Sequence, residues 1–182
     1  MTVLVTYASR HGSTTGIAER IAAGLRAAGL SVDVRPVDDA GDIAGYDAFV
    51  IGSASYMFHW LKPATEFATR HRSVLVERPV WLFSSGPLGT DLVDKRGRDV
   101  FETSRPKEFA QLQTLLEPRG DRVFFGAWQA DAPAVGIAER LFRLMPQSKA
   151  ALPAGDFRDW PAIEAWADEI ARELSALAAA GR

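Results

Sequence analysis

Thr2-Val3-Leu4-Val5-Thr6-Tyr7-Ala8-Ser9-Arg10-His11-Gly12-Ser13-Thr14-Thr15-Gly16-Ile17-Ala18 joins two periodicities across one short polar link. Thr2 to Ala8 is a nearly continuous apolar and β-branched run, the pattern of a strand buried on both faces in a parallel sheet. From Thr14 the apolar residues Ile17, Ile21 and Leu25 recur every four positions among alanines, and Gly29 follows where a helix would stop. In the link, Ser9, Ser13, Thr14 and Thr15 supply hydroxyls, and Gly12 lets the backbone turn closely around a ligand. Exposed amides and the helix dipole at such a junction favour an anion, above all a phosphate. Serines and threonines at the same place also cap helices, and the link alone leaves both readings open.

Working outward, Ser31–Val37 alternates around Val32, Val34 and Val37, Tyr46–Gly52 carries Ala48-Phe49-Val50-Ile51, and Val80-Trp81-Leu82-Phe83 is a fourth apolar run. Arg122–Trp128 is the fifth. Between them the spacing predicts helices over Thr14–Ala28, Pro63–His71, Pro106–Leu116, Gly136–Met145 and Trp160–Ala179, the last capped by Asp159. Strands alternating with helices along the whole chain indicate an α/β fold, a doubly wound sandwich on a five-stranded parallel sheet with helices on both faces. Ligands of such sheets bind beyond the carboxyl ends of the strands, so the loops after strands one, three and four matter most. The expected organisation is a single domain over residues 1–182 with an extended loop at about 86–106.

Composition removes several kinds of chemistry. No cysteine is present, which excludes disulfides, thiolate metal sites and thiol nucleophiles, so redox chemistry needs a borrowed cofactor. A net charge of −2 gives no basis for general nucleic-acid binding. No apolar run approaches the ~20 residues of a transmembrane helix. Met1-Thr2-Val3-Leu4-Val5 enters a strand pattern without a basic leader, so the expected location is the cytoplasm, with a peripheral membrane position left open. His11, His59 and His71 have no metal-ligand spacing, and no metal is expected. No G-x-S-x-G elbow and no assignable Ser, His and Asp set supports hydrolysis, and no catalytic residue is assigned. The link also lacks the G-x-G-x-x-G and G-x-x-x-x-G-K-[ST] patterns of dinucleotide and nucleoside triphosphate loops.

What the link does match is S-x-x-G-x-T-x-x-[IV]-A directly after an N-terminal strand, through Ser9, Gly12, Thr14, Ile17 and Ala18. That pattern resembles the phosphate loop of the flavodoxin-like family. The exit of the third strand, Gly52-Ser53-Ala54-Ser55-Tyr56-Met57-Phe58-His59-Trp60, looks like the flavodoxin loop beside the isoalloxazine ring. Gly-Ser-Ala followed by Tyr, a helix carrying Glu66-Phe67, and Phe157-Arg158-Asp159-Trp160 before the last helix are similar to the menaquinone-dependent protoporphyrinogen oxidase branch. The sequence departs from that branch at Phe58 and His59, where its members place a glycine and then a basic residue.

The resemblance implies a flavodoxin-like sheet of order 2-1-3-4-5 and flavin mononucleotide (FMN) as cofactor. It implies that Ser9, Arg10, His11, Gly12, Ser13 and Thr14 grip the phosphate, with Thr15 added for its hydroxyl and position. Ser53, Ala54, Ser55, Tyr56, Met57 and Phe58 would line the flavin, and Ser84, Ser85, Gly86, Pro87 and Leu88 would close its other side. The expected function is an FMN-dependent oxidoreductase that oxidises a porphyrinogen-type substrate and passes electrons to a quinone. The alternative is a flavodoxin-like electron carrier that docks redox proteins and has no small-molecule substrate of its own. Gly89–Glu108 carries Lys95, Arg96, Arg98, Arg105 and Lys107, and a basic loop there could hold an acidic substrate or simply be solvated surface.

Overall fold

The computed structural model describes residues 1–129 and 153–180, so the helix expected over Gly136–Met145 lies outside the described residues. In chain order the elements are β1 (Thr2–Ala8), α1 (Ser13–Ala27), β2 (Ser31–Pro36), β3 (Ala48–Tyr56), β4 (His59–Trp60), α2 (Lys62–Arg70), α3 (Arg72–Leu75) and β5 (Val80–Ser85). They continue with α4 (Val100–Thr103), α5 (Glu108–Leu116), β6 (Gly120–Phe124), β7 (Ala127–Trp128), β8 (Gly155–Asp156) and α6 (Trp160–Ala180).

Five strands lie parallel in the order β2-β1-β3-β5-β6, which is the 2-1-3-4-5 winding once the short hairpin strand β4 is set aside. The fold is α/β and flavodoxin-like. β1 explains its own sequence: Val3 and Val5 enter the core under α1 and α6, while Leu4 enters the core under α2 and α5. A strand buried on both faces has no polar side to alternate with, hence the unbroken apolar run. The first core is built on Ile17, Ile21, Leu25, Phe83, Trp166 and Ile170, the second on Phe49, Ile51, Phe67, Leu82, Phe109 and Leu112. Asp159 caps α6 as expected, its Oδ1 accepting from Ala162 N–H at 3.0 Å.

Three departures from the expected elements bear on the site. β3 runs on to Tyr56 and β5 to Ser85, so Ser53–Tyr56 and Ser84–Ser85 are strand rather than loop. The chain then reverses at Met57-Phe58 into β4, which pairs antiparallel with β3 through Ser55–Trp60 and Tyr56–His59. The fifth run is broken: β6 ends at Phe124, and β7 leaves the sheet to pair antiparallel with β8. The cause is local hydrogen bonding, because Gly126 donates to the Pro87 carbonyl at 2.9 Å and its own carbonyl accepts from Phe157 N–H at 3.1 Å. Both bonds draw the backbone away from the ladder.

Candidate functional site

Residues 9–12 connect β1 to α1. Gly12 has φ 80°, a left-handed conformation that side chains with a Cβ adopt at a cost. Its N–H donates to Ser9 Oγ at 3.0 Å and its carbonyl accepts from Gly16 N–H at 3.1 Å, which turns the chain directly into the helix. Gly12 is therefore the N-cap residue, and the cap makes no side-chain hydrogen bond. Ser9 and Ser13 use their hydroxyls on protein partners, so of the loop's hydroxyls it is the one on Thr14 that the structure leaves unexplained. Thr14 is fully buried and its Oγ1 has no hydrogen-bond partner. Leaving a buried hydroxyl unpaired costs about 1–3 kcal/mol, so such a group at a helix N-terminus fits an anionic ligand that would accept from it.

The other residues of the loop have different tasks. Ser13 Oγ accepts from Ala127 N–H at 2.8 Å and lies 3.2 Å from Ser85 Oγ, so it ties α1 to the end of β5 and to β7. The Arg10 guanidinium sits 4.8 Å from the centre of the Tyr56 ring, and the His11 ring meets Trp128 edge-on at 5.1 Å. Thr15 is half-buried in the first turn.

At the exit of β3, Ser53 is buried and its hydroxyl is committed to the protein, donating to the Ala54 carbonyl (2.9 Å) and accepting from Leu61 N–H (3.0 Å). Ala54 is buried beside it, and Ser55 and Tyr56 are half-buried on the ladder to β4. Met57 and Phe58 have φ 50° and 65°, as both central residues of a type I′ turn require. Asparagine and glycine usually occupy such turns. Here two large apolar side chains stand in strained conformations, 89% and 53% exposed.

Glu108 at the start of α5 fastens this hairpin. Its Oε1 is 2.7 Å from His59 Nδ1, its Oε2 accepts from Trp60 N–H at 3.0 Å, and Lys107 N–H donates to the Phe58 carbonyl at 3.0 Å. Burial opposes the charged carboxylate, yet the Trp60 amide and the His59 ring outweigh it and hold Glu108 below the ordinary glutamate value of 4.5. A carboxyl depressed in the folded state contributes stability above its unfolded pKa and loses it as pH falls through the folded one. The stability advantage of wild type over Glu108→Gln should therefore shrink as pH is taken from about 6 to about 3, read by urea unfolding at each pH. An advantage that grows on acidification would contradict this assignment.

The exit of β5 closes the group. Gly86 N–H donates to the Phe124 carbonyl at 3.2 Å, and a Cβ on Gly86 would stand 3.2 Å from Ser55 Cβ, so β5 and β3 end against one another. Ser84 is buried with its Oγ unpartnered. Pro87 and Leu88 are half-buried, Pro87 held by its carbonyl to Gly126. The exits of β1, β3 and β5 thus meet at one edge through Ser13–Ser85 and Ser55–Gly86.

Beyond Leu88 the chain is folded around Asp94. Its Oδ1 accepts from Arg96 and Arg98 N–H at 2.8 and 3.0 Å, and its Oδ2 from Arg98 Nε at 2.8 Å. The Arg98 amide first, then its side chain and the Arg96 amide, hold the Asp94 carboxyl below the usual range. Arg105 forks onto Asp121 at 2.7 and 2.8 Å. Two of the five cations in Gly89–Glu108 are thereby matched internally. A groove of about 350 Å³ opens here, lined by Leu88, Asp91, Val93, Asp94, Lys95 and Val100 among others. Among the described residues no helix is long and apolar enough to cross a membrane, and no group of three His, Asp or Glu could hold a metal.

The residues missed from sequence are those of the β7–β8 pair. Trp128 and Arg158 stand beside the β1–α1 loop, the latter donating to the Ser13 carbonyl at 3.4 Å. The only signal was Phe157-Arg158-Asp159-Trp160, legible as a helix entry and not as a wall of this loop.

A family model described as flavodoxin domain matches residues 4–142. No curated protein sequence matches the chain. Among solved structures, rubredoxin oxygen:oxidoreductase from Desulfovibrio gigas is similar with 15% identity and a TM-score of 0.63, covering 96% of this chain and 36% of that one. The chain thus spans about a third of that protein's length. A mutant of flavodoxin from Pseudomonas aeruginosa has 16% identity and a TM-score of 0.58, covering 96% of this chain and 99% of that one. A flavodoxin from Streptococcus pneumoniae TIGR4 has 17% identity and a TM-score of 0.56, covering 95% and 99% respectively.

Proposed function

The chain belongs to the flavodoxin domain family, with FMN as its cofactor, and on that premise we propose that it is an FMN-dependent oxidoreductase whose phosphate loop is residues 9–15. The observation that carries the loop assignment is the fully buried, unpartnered Thr14 hydroxyl at the glycine-capped start of α1. Ser9 to Thr15 would hold the phosphate, and the exits of β3 and β5, Ser53–Phe58 and Ser84–Leu88, would flank the ring. Within those exits Ser53 would contribute through its backbone, since its hydroxyl is already committed. Bound there, FMN supplies a ring able to accept and release one or two electrons, which no side chain of this cysteine-free protein can do.

An enzyme rather than a bare carrier is favoured by the ordered segment after β5. Support for that reading comes from its Asp94-centred turn, its groove adjoining Leu88 and its attachment to the β3–β4 hairpin, where a second ligand would sit beside the flavin edge. A porphyrinogen-type substrate with a quinone acceptor is the specific form of this reading, and it rests on the resemblance in Gly52–Tyr56 and Phe157–Trp160. The groove bears Asp91 and Asp94 against Lys95, so an acidic substrate would have to be held elsewhere on this segment. The carrier reading draws on the likeness in fold to the flavodoxins. In either case the domain comprises the whole chain, with residues 86–106 as its extension.

Purified protein should be yellow and release FMN on denaturation. Colourless protein that cannot be reconstituted with FMN would end both forms of the proposal. Anaerobic FMN protein mixed with a porphyrinogen, and then with a menaquinone, separates enzyme from carrier: reduction and reoxidation of the flavin are expected. Failure of both, with rapid electron exchange with a flavodoxin reductase, would establish the carrier.

A further inference from the structure

Ala127–Trp128 and Gly155–Asp156, far apart in sequence, form the antiparallel ribbon β7–β8 beside the first turn of α1. Several independent contacts seat it there. Ala127 N–H donates to Ser13 Oγ at 2.8 Å, Trp128 packs edge-on against His11, and Arg158 Nη1 reaches the Ser13 carbonyl. The Arg158 guanidinium also occupies the space that any side chain on Gly16 would need, and it stacks on Trp160 at 4.4 Å. Gly16 is thus a seat for the arginine.

Arg158 spends its charge on the ribbon itself. It forks onto Asp156, Nε to Oδ1 at 2.7 Å and Nη2 to Oδ2 at 2.5 Å, and its side chain is only 17% exposed. The fork matters because of where the ribbon lies. The first turn of α1 is the positive pole of a 15-residue helix, the place where an anion is favoured. A ribbon that brings a carboxylate to that pole would repel a phosphate unless the carboxylate were neutralised by a fixed cation.

We propose that the β7–β8 ribbon is the second wall of the cofactor's phosphate site, and that Arg158 is its positioning residue, fixing the ribbon on Ser13 and cancelling the Asp156 carboxylate beside the bound phosphate. This rests on the FMN assignment above. It predicts a selective effect: Arg158 influences the part of the ligand that carries the phosphate and not the flavin ring.

The test is titration of the apoprotein with FMN and with riboflavin, which has the same ring and no phosphate. Arg158→Gln is expected to weaken FMN about tenfold, through an uncompensated charge near the phosphate, and to leave riboflavin within about twofold. Adding Asp156→Asn to Arg158→Gln removes that charge and should restore most of the FMN preference. Arg158→Lys keeps a cation in the seat and should hold the FMN-to-riboflavin ratio within about threefold of wild type. If Arg158→Gln does not fold, the Lys variant and the double variant still decide, because both must keep the preference. Equal loss for both flavins, loss in the Lys variant, or no recovery in the double variant overturns the proposal and leaves Arg158 a structural strut. Wild-type protein that binds neither flavin overturns the FMN assignment, and this proposal with it.

Discussion

Thr14→Val is expected to weaken FMN binding by about ten- to a hundredfold while leaving the apoprotein at least as stable as wild type. Valine has the shape of threonine, so the seat under α1 stays filled. What disappears is an Oγ1 that is buried and unpartnered. In the apoprotein that hydroxyl is a liability, and its removal relieves a desolvation cost. With FMN bound it would donate to a charged oxygen, a bond worth about 1.5–3 kcal/mol. Opposite signs for stability and affinity are the signature of a residue kept for a ligand. Urea unfolding of the apoprotein and fluorescence titration with FMN measure the two quantities. A variant that loses stability and keeps its affinity would show that the threonine serves packing, and the phosphate would have to be held elsewhere.

The second large effect is on folding. Gly52→Ala should destabilise the protein by about 2–4 kcal/mol, seen as an earlier midpoint in urea without a change of slope. The Phe83 ring lies against Gly52 across the β3–β5 ladder, in the space a Cβ would take, and three of its atoms would be closer than any real Cβ contact allows. That ring is fully buried and packs on Phe124 and Trp166, so it has nowhere to move. Phe83→Leu should rescue much of the loss in Gly52→Ala, although alone it would destabilise by opening a cavity. Strictly additive effects of the two substitutions would refute the clash. The glycine in the Gly52-Ser53-Ala54 motif thus answers to a phenylalanine on the neighbouring strand.

The same pair of residues shows how far the sequence could be read. β1, α1, β2, the core of β3, β5 and α6 announced themselves because long apolar periods report burial directly. The site edge followed from the winding, since a parallel sheet collects its strand exits at one end. What escaped was decided by pairs distant in the chain. Met57-Phe58 has none of the residues that advertise a type I′ turn, and only the β3–β4 ladder forces that geometry on it. The continuous run Arg122–Trp128 concealed a break that depends on Pro87 and Phe157. Lys95, Arg96, Arg98, Arg105 and Lys107 looked like a basic patch, but Asp94 and Asp121 take up Arg98 and Arg105. Even Ser13, chosen for its hydroxyl, turns that hydroxyl toward the protein, and so does Ser53 at the exit of β3.

Glu108 and Lys107 give the extended segment an anchor outside its own boundaries. They hold Phe58, His59 and Trp60, residues of a different loop, so a graft of residues 89–106 into a related scaffold would arrive without its fastening. The transferable module is the segment together with the first residue of α5 and the hairpin it grips. In this chain, exchanging one of these parts without the other would leave the hairpin to hold its strained tip alone.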